Sequence, residues 1–249
     1  MKKKLGQNFL VDKNIADLEV KYANIKSNDI VLEIGPGYGI LTKILAEKAK
    51  RVIAIEIDKK LINNLKKFLP NNVDLIHKDV LNVDFRKLPR FNKIVSNLPF
   101  QISSEITFKL LDYDFELAIL IYQKEFADRL IALPGSKNYS RLSVGVYYKS
   151  RCYFLRTIPK TCFKPVPKVD SSMVKIIPRQ FPPFVINNEK FFFNLTKYLF
   201  NYRRKKIRSI LNSLYNLDLK NVPYLENRVE ELLPSQIGEL SDILSKMLK

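Results

Sequence analysis

The sequence has 249 residues, 46% of them hydrophobic, which is enough for one large domain or for a core with a smaller appended unit. Its 43 Lys and Arg residues against 25 Asp and Glu residues give a net charge of +18, which favours a polyanionic partner. No apolar run approaches the roughly 18 residues of a membrane span, and no export signal or metal-binding cysteine pattern is readable, so we expect a cytoplasmic protein with no metal and no membrane partner.

Short apolar strands alternate with amphipathic helical segments between residues 30 and 122. The strand segments are IVLEI, RVIAIEI, VDLIH, KIVSN and LAILIYQ, and their Val, Ile and Leu content is typical of strands that are buried on both faces. This alternation predicts an α/β fold with a parallel sheet covered by helices. Two further segments, 142–158 and 169–177, are rich in β-formers and predict antiparallel strands at the sheet edge.

Three prolines in PRQFPPF, residues 178–184, predict a linker, and helical periodicity follows it. We therefore expect two domains. The first, residues 1–180, contains the α/β sheet. The second, residues 181–249, is small and helical.

The segment VLEIGPGYG places Gly35, Gly37 and Gly39 between the first strand and the next helix. Glycine at this point lets the backbone turn sharply and approach a ligand closely. A dinucleotide fingerprint would need a glycine where Ile40 stands, so that interpretation fails. The G-x-G-x-G spacing after an acid, Glu33, is instead similar to the cofactor turn of S-adenosylmethionine-dependent methyltransferases, which have a Rossmann-like sheet.

Acidic residues follow the second and third strands. Glu56 stands at the tip of the second strand, where a carboxylate can accept hydrogen bonds from both ribose hydroxyls of an adenosine group. Asp58 is better placed than Glu56 to cap the following helix. Asp79 could accept a hydrogen bond from an adenine amino group, or it could simply form a turn.

The segment Asn97-Leu98-Pro99-Phe100 closes the fourth strand on the same carboxyl edge. The Asn97 side-chain oxygen and the Leu98 carbonyl can accept hydrogen bonds from an exocyclic NH2 group and keep its lone pair out of conjugation with a purine ring. Pro99 fixes the turn, and Phe100 offers a ring face on which a base can stack. These four residues predict a catalytic site for amine methylation.

Basic residues are clustered in two places. Residues 151–179 carry seven Lys and Arg residues against one acid, with aromatic residues between them, and RRKKIR at 203–208 is the second cluster. If residues 203–208 are helical, Arg204 and Arg208 lie on one face with Lys205 beside them, as a phosphate-binding face requires. The alternative is an ordinary solvated helix face on a lysine-rich surface.

Seven segments then stand in an order that resembles the KsgA-type dimethyladenosine transferases of small-subunit ribosomal RNA. They are LGQNFL, EIGPGYG, EID, HKDVL, NLPF, QKEFADRL and CFKPVPKVDS, and the likeness covers most of residues 4–178. The helical tail resembles the C-terminal domain of that family in size and position, but it carries no sharp motif. The resemblance implies dimethylation, at N6, of two adjacent adenosines in the hairpin near the 3′ end of the RNA, with S-adenosylmethionine as the methyl donor.

The resemblance also implies roles for individual residues. The cofactor would contact Asn8, Leu10, Gly35, Gly37, Glu56, Asp79 and Asn97. The target adenine would lie between Phe100 and Phe163, although Phe163 could equally be a core ring. The family usually has tyrosine where Phe100 stands, so a role for a phenolic hydroxyl is excluded here.

Three other functions fit parts of the same pattern. A ribosome-assembly factor that acts by binding needs a similar RNA-binding surface, but the intact glycine turn and NLPF favour catalysis. A large-subunit RNA methyltransferase is related, but GSKNYSRLSV and PVPKVDSS favour the small-subunit branch. A DNA adenine methyltransferase would more often have proline in place of Leu98. The expected partners are the small ribosomal subunit and its rRNA, and we expect a monomer.

Overall fold

The computed structural model describes residues 8–215 and 217–248. The chain divides into two compact units. The first contains the chain up to Ala127 together with Arg151–Pro178, and the second contains Asp128–Ser150 together with the chain from Arg179 onward. The expected second domain, 181–249, therefore lacks a segment that belongs to it, because residues 128–150 pack with the C-terminal helices.

The first unit is built on a seven-stranded sheet in the order β4-β3-β2-β5-β6-β9-β7. These strands are β2 (Ile30–Ile34), β3 (Arg51–Glu56), β4 (Val73–His77), β5 (Lys93–Asn97), β6 (Leu117–Gln123), β7 (Ser150–Ile158) and β9 (Ser171–Pro178). The five strands from β4 to β6 are parallel, and β9 is antiparallel to β6. A separate antiparallel pair joins β1 (Phe9–Leu10) to β8 (Phe163–Lys164). The predicted α/β fold is confirmed.

Four helices of this unit follow the alternation that the sequence predicts. They are α1 (Lys13–Ala23), α2 (Ile40–Lys48), α3 (Lys59–Leu65) and α4 (Ser103–Leu111). A fifth, α5 (Lys124–Leu130), follows β6. Apolar residues of α1 and α2 pack with those of β2, β5 and β6 in one buried cluster. Because the parallel strands are in register, the ends of β2, β3 and β5 come to one edge of the sheet.

The second unit is helical. Its helices are α6 (Arg141–Lys149), α7 (Glu189–Asn201), α8 (Ile207–Leu214) and α9 (Pro234–Met247). Tyr139, Phe192 and Leu240 belong to its buried core, and the Tyr139 hydroxyl donates a hydrogen bond to the Leu232 carbonyl at 2.9 Å. None of the helices within the described ranges has the length and hydrophobicity that crossing a membrane requires.

Two expectations for local structure are wrong. Residues 141–149 form helix α6 rather than the first half of an edge strand, because Ser140 and Ser143 make a capping box and Val144 and Tyr148 pack into the helical core. Residues 202–206 are not helical: α7 ends at Asn201 and α8 begins at Ile207, so Arg204 and Arg208 do not share a helix face.

Candidate active site

A cavity of about 380 Å³ opens in the first unit at the carboxyl ends of β2, β3 and β5. A volume of this order suits a small-molecule ligand. Its walls come from residues 8–10, 33–38, 40–41, 55–57, 78–80 and 97–102. The structure thereby brings together ten residues that the sequence singles out, which are Asn8, Leu10, Gly35, Gly37, Glu56, Asp79, Asn97, Leu98, Pro99 and Phe100.

The glycine turn forms the floor of this cavity. Gly35, Gly37 and Gly39 all have positive φ, at +72°, +58° and +79°, so side chains would be strained there. A Cβ atom at Gly37 would also lie 2.7 Å from the Phe9 ring. The turn is fixed by the Gly35 amide, which donates to the Ile55 carbonyl at 2.8 Å. The backbone can therefore approach a ligand closely.

Glu56 is buried at the cavity wall, where backbone amides hold its carboxylate. Its Oε1 accepts from the amides of Ile57 and Asp58, both at 2.9 Å, and its Oε2 accepts from the Gly37 amide at 3.4 Å. Burial raises the pKa of Glu56, and these three amides oppose that rise. Asp58 caps α3 by accepting from the Lys60 amide at 2.7 Å, so the cap does not depend on Glu56. The Glu56 Oε2 atom accepts one of these amide hydrogen bonds, which leaves a second acceptor position on this cavity-lining carboxylate.

Asp79 lines the cavity and also forms a turn. Its Oδ1 accepts from the Leu81 amide at 2.9 Å and caps a short 3-10 turn, Val80–Asn82. The Lys109 ammonium donates to the carbonyls of Val80 and Leu81, at 2.9 and 2.7 Å, and fixes the turn from outside. The turn-forming role and the ligand-facing position are thus compatible in one residue.

Asn97 is the last residue of β5, and among the described residues only the NH2 group of its side-chain amide has a hydrogen-bond partner. Its Nδ2 donates to the Asn8 carbonyl at 3.2 Å, while its Oδ1 is buried and finds no donor among the described residues. The following Leu98 is buried and its amide donates to the Ile121 carbonyl at 3.3 Å. Pro99 holds φ at −60° before the half-buried Phe100. An unpaired buried acceptor is costly, and a ligand donor would remove that cost.

Phe163 is a core ring. It has no exposed surface, it lies in the strand β8 that pairs with β1, and it belongs to the main apolar cluster of the unit. The Phe100 ring meets it edge to face, with centroids 6.5 Å apart and planes at 67°. The expectation that Phe163 offers a second open face to a base is therefore contradicted, because the Leu10–Phe163 strand pairing and apolar packing enclose the ring.

Phe9, Tyr38 and Glu33 are among the cavity residues that were not assigned to the site from the sequence. Phe9 and Tyr38 both line the cavity, with ring centroids 4.4 Å apart. Glu33 also lines it, is almost fully buried, and has an Oε2 atom without a hydrogen-bond partner in the described structure. Burial raises the pKa of Glu33 to about 8. An aromatic residue inside a glycine turn and an acid just before it were the available signals.

The basic cluster of the second unit is partly paired. Arg203 forms an ion pair with Glu230 and donates to the Ser136 carbonyl at 2.9 Å, and Arg208 pairs with Glu226 at 2.7 Å. Arg204 and Lys205 have no carboxylate partner in the parts of the chain that are described, and they line a depression of about 520 Å³. Lys137 and Arg228 contribute to the same depression. Of the three cations predicted to form one phosphate-binding face, Arg208 is therefore held in an ion pair, whereas Arg204 and Lys205 have no carboxylate partner among the described residues.

The arrangement can hold a nucleoside-bearing cofactor. The glycine turn admits close approach, Glu56 and Asp79 supply acceptors at neighbouring strand ends, and Asn97 supplies the unsatisfied oxygen. Acceptors are what the ribose hydroxyls and the amino groups of S-adenosylmethionine require, so the residues fit this group. No cluster of three or more potential metal ligands occurs in residues 8–215 and 217–248.

Comparison with known proteins agrees with this geometry. Residues 1–245 match the family model described as ribosomal RNA adenine dimethylase. The chain is 47% identical to a probable ribosomal RNA small subunit methyltransferase A of Methanococcus aeolicus, over 98% of this chain and 89% of the relative. It is 41% identical to a protein of the same description from Pyrococcus furiosus, over 97% and 91% of the two chains.

Solved structures give the same result. A dimethyladenosine transferase from Plasmodium falciparum is 32% identical with a TM-score of 0.81, over 95% of this chain and 96% of that one. The 23S rRNA methyltransferase ErmE is 25% identical with a TM-score of 0.67, over 97% and 100%. The turn, the strand-end acceptors and these likenesses together lead to one conclusion: the chain belongs to the ribosomal RNA adenine dimethylase family of S-adenosylmethionine-dependent methyltransferases.

Proposed function

We propose that this protein dimethylates N6 of two adjacent adenosines in the 3′-terminal hairpin loop of small-subunit rRNA. The observation that carries this proposal is the buried, unpaired Asn97 Oδ1 atom at the cavity wall, next to Phe100. A base amine is a donor that this oxygen lacks. The Methanococcus and Pyrococcus relatives are described as probable small-subunit rRNA methyltransferases, which supports the small subunit as the substrate.

The cofactor would lie across the glycine turn. Glu56 would accept from the ribose through Oε2, Asp79 would accept from the adenine amino group, and Asn8, Leu10, Gly35 and Gly37 would form the remaining wall. When bound, S-adenosylmethionine supplies a methyl group on a positively charged sulfur. All of these residues lie in one unit and line one cavity, which supports the assignment.

Asn97 and Leu98 would prepare the amine. The Asn97 Oδ1 atom and the Leu98 carbonyl would accept the two N6 hydrogens, so that the nitrogen lone pair points at the methyl carbon instead of conjugating with the ring. This lone pair would receive the methyl group of bound S-adenosylmethionine, with the S–C electron pair left on sulfur, and the extra proton of the amine would leave to water. No strong general base is required, because the sulfonium is a good leaving group.

Phe100 would hold the target base. Its half-buried ring stands directly after Pro99 at the cavity wall and is backed by Phe163 edge to face. One exposed ring face is enough for base stacking, which contributes about 1–3 kcal/mol per base. Phe163 would then act by fixing the Phe100 ring, because its own surface is fully enclosed.

RNA binding would use cations of both units. In the first unit, Arg151, Arg156, Lys160, Lys164 and Lys168 are exposed. In the second, Arg204 and Lys205 are free of carboxylate partners within the described residues, whereas Arg208 is held by Glu226 and would contribute less. Such a protein would act as a cytoplasmic monomer in small-subunit biogenesis.

The experiment compares three substrates under one assay. Unmethylated small subunits, large subunits and duplex DNA are incubated with labelled S-adenosylmethionine, and the products are digested to nucleosides. The proposal expects N6,N6-dimethyladenosine from small subunits only. Label in large subunits or DNA would refute the assignment, and binding to small subunits without any label would leave the assembly-factor function in its place.

A further inference from the structure

Glu33 is a buried acid on the wall of the cofactor cavity, and the mechanism above does not use it. It occupies the fourth position of β2, two residues before Gly35, and is 2% exposed. Its Oε2 atom has no hydrogen-bond partner in the described residues. Burial and the unpaired Oε2 atom disfavour the charged form of this carboxyl, so the neutral form is favoured.

The charges around Glu33 act in the same direction. Glu56 of β3 lines the same cavity, and its negative charge raises the pKa of Glu33 further. Glu19 of α1 is fully buried with both oxygens unpaired among the described residues, and burial raises its own pKa well above the usual range, so it stays neutral and adds no charge beside Glu33. From α2, the Thr42 hydroxyl opposes the rise in the pKa of Glu33.

The cavity offers little positive charge to offset these acids. Lys78 is its one described cationic wall residue, and it stands next to Asp79. β5 contributes Ser96 and Asn97 beside β2, which do not titrate in this range, and Ser96 is committed to the Ile34 backbone. Glu33 is consequently neutral at neutral pH when no cation occupies the cavity.

The methyl donor and its product differ in charge but hardly in shape. The donor carries a sulfonium and is one unit more positive than S-adenosylhomocysteine, whose sulfur is a neutral thioether. We propose that Glu33 is a specificity-determining residue that becomes a carboxylate when the cationic donor binds and regains its proton when the neutral product takes its place. Glu33 thereby favours exchange of product for donor. This inference rests on the proposed placement of the cofactor.

Proton linkage gives the inference a measurable form. If the donor stabilises the charged form, the pKa of Glu33 falls on donor binding, and each unit of that fall strengthens donor binding tenfold at high pH relative to low pH. Donor affinity therefore rises as pH increases toward about 8, the pKa of Glu33 in the free protein. Product binding leaves the neutral form in place and is flat over the same range.

The test is calorimetric titration of the full chain with S-adenosylmethionine and with S-adenosylhomocysteine at about pH 6.5 and about pH 9.5. We expect the ratio of donor affinity to product affinity to rise roughly tenfold between these values. Between about pH 7 and pH 8, donor binding should release about half a proton, as a one-unit fall in the pKa requires, measured from buffers of different ionisation enthalpy, and product binding should release far less. This comparison uses the unaltered protein.

Two variants show which buried carboxyl causes the pH dependence of the affinity ratio. Glu33→Gln should make the ratio independent of pH, while Glu19→Gln, which replaces a neutral buried carboxyl by a neutral amide, should keep the wild-type pH dependence. A flat ratio in the unaltered protein, or a pH-dependent ratio that persists in Glu33→Gln, overturns the inference. If neither ligand binds, or if Glu56→Ala changes neither affinity, the cofactor placement itself fails, which is a separate result.

Discussion

The Asn97 Nδ2 atom donates a hydrogen bond to the Asn8 carbonyl at 3.2 Å. This contact uses the donor half of the amide and leaves the Oδ1 atom unpaired at the cavity wall. It also joins the end of β5 to the segment that leads into β1. The residue that would receive the base amine is therefore oriented by a neighbour that also lines the cofactor cavity.

Cofactor affinity is expected to depend on Glu56. Glu56→Ala removes the charged acceptor at the cavity wall and leaves the Gly37 amide without its partner. A loss of about 1.5–3 kcal/mol in S-adenosylhomocysteine binding is the scale for hydrogen bonds to charged groups. Calorimetric titration measures it, with circular dichroism to verify folding. Unchanged affinity in a folded variant would remove Glu56 from the cofactor site.

Phe100 and Phe163 should respond differently to truncation. Phe100→Ala should keep cofactor affinity and lose turnover, because it removes a stacking surface worth about 1–3 kcal/mol. Phe163→Ala should instead lower the free energy of unfolding by about 3–5 kcal/mol, because this ring is fully buried. Denaturant unfolding and single-turnover methylation separate the two. If Phe100→Ala weakens cofactor binding as much as turnover, the stacking role is wrong.

The cations of the second unit should contribute differently to RNA binding, depending on whether each already has a carboxylate partner. Replacing Arg204 and Lys205 by glutamine should weaken binding to small subunits and reduce the slope of log K against log salt by about 0.7–0.9 for each lost phosphate contact. Arg208→Gln is the matched control, because Arg208 already pairs with Glu226. Cofactor affinity should stay unchanged in both variants. An unaltered salt slope in the double variant would show that this cluster does not contact RNA.

Glu19 should make stability dependent on pH. Its folded pKa is raised above the unfolded value by burial, so its contribution to stability is fully present below the unfolded pKa and is lost as pH rises. Glu19→Met removes an unsatisfied buried carboxyl at similar length, and we expect a gain of about 1–3 kcal/mol in the free energy of unfolding near neutral pH. The gain should shrink on acidification. Urea unfolding at two pH values tests this, and destabilisation by Glu19→Met at neutral pH would contradict it.

Much of the cavity can be predicted from sequence because its parts are local. Each strand end carries its own signal, such as the glycines after β2 and Asn97-Leu98-Pro99 after β5, and parallel register then brings these ends to one edge. Features that depend on distant packing were missed. Residues 202–206 form a turn, and its cations and Arg208 pair with acids far along the chain: Arg203 with Glu230, 27 residues away, and Lys206 and Arg208 with Glu226, 20 and 18 residues away. The enclosure of Phe163 depends on its pairing with Leu10, from the other end of the unit.

Helix α6 shows a second reason for failure. The segment LSVGVYYK has the β-branched and aromatic residues of a strand, and the helix is favoured by the Ser140–Ser143 capping box together with packing into the helical core. The proximity of Glu19 to Glu33 likewise depends on how α1 packs on the sheet. Apart from the serine cap, neither packing arrangement can be read from its own segment, because both depend on residues far away in the chain.

The most direct test of the account measures methylation and cofactor binding together in Asn97→Ala. Unmethylated small subunits are incubated with labelled S-adenosylmethionine, and nucleosides are quantified for the unaltered protein and the variant, with S-adenosylhomocysteine affinity measured on the same samples. The account expects N6,N6-dimethyladenosine from the unaltered protein, and a loss of turnover of roughly 100-fold or more in the variant, with most of the cofactor affinity retained. A folded Asn97→Ala variant that dimethylates adenosine at the unaltered rate would contradict it.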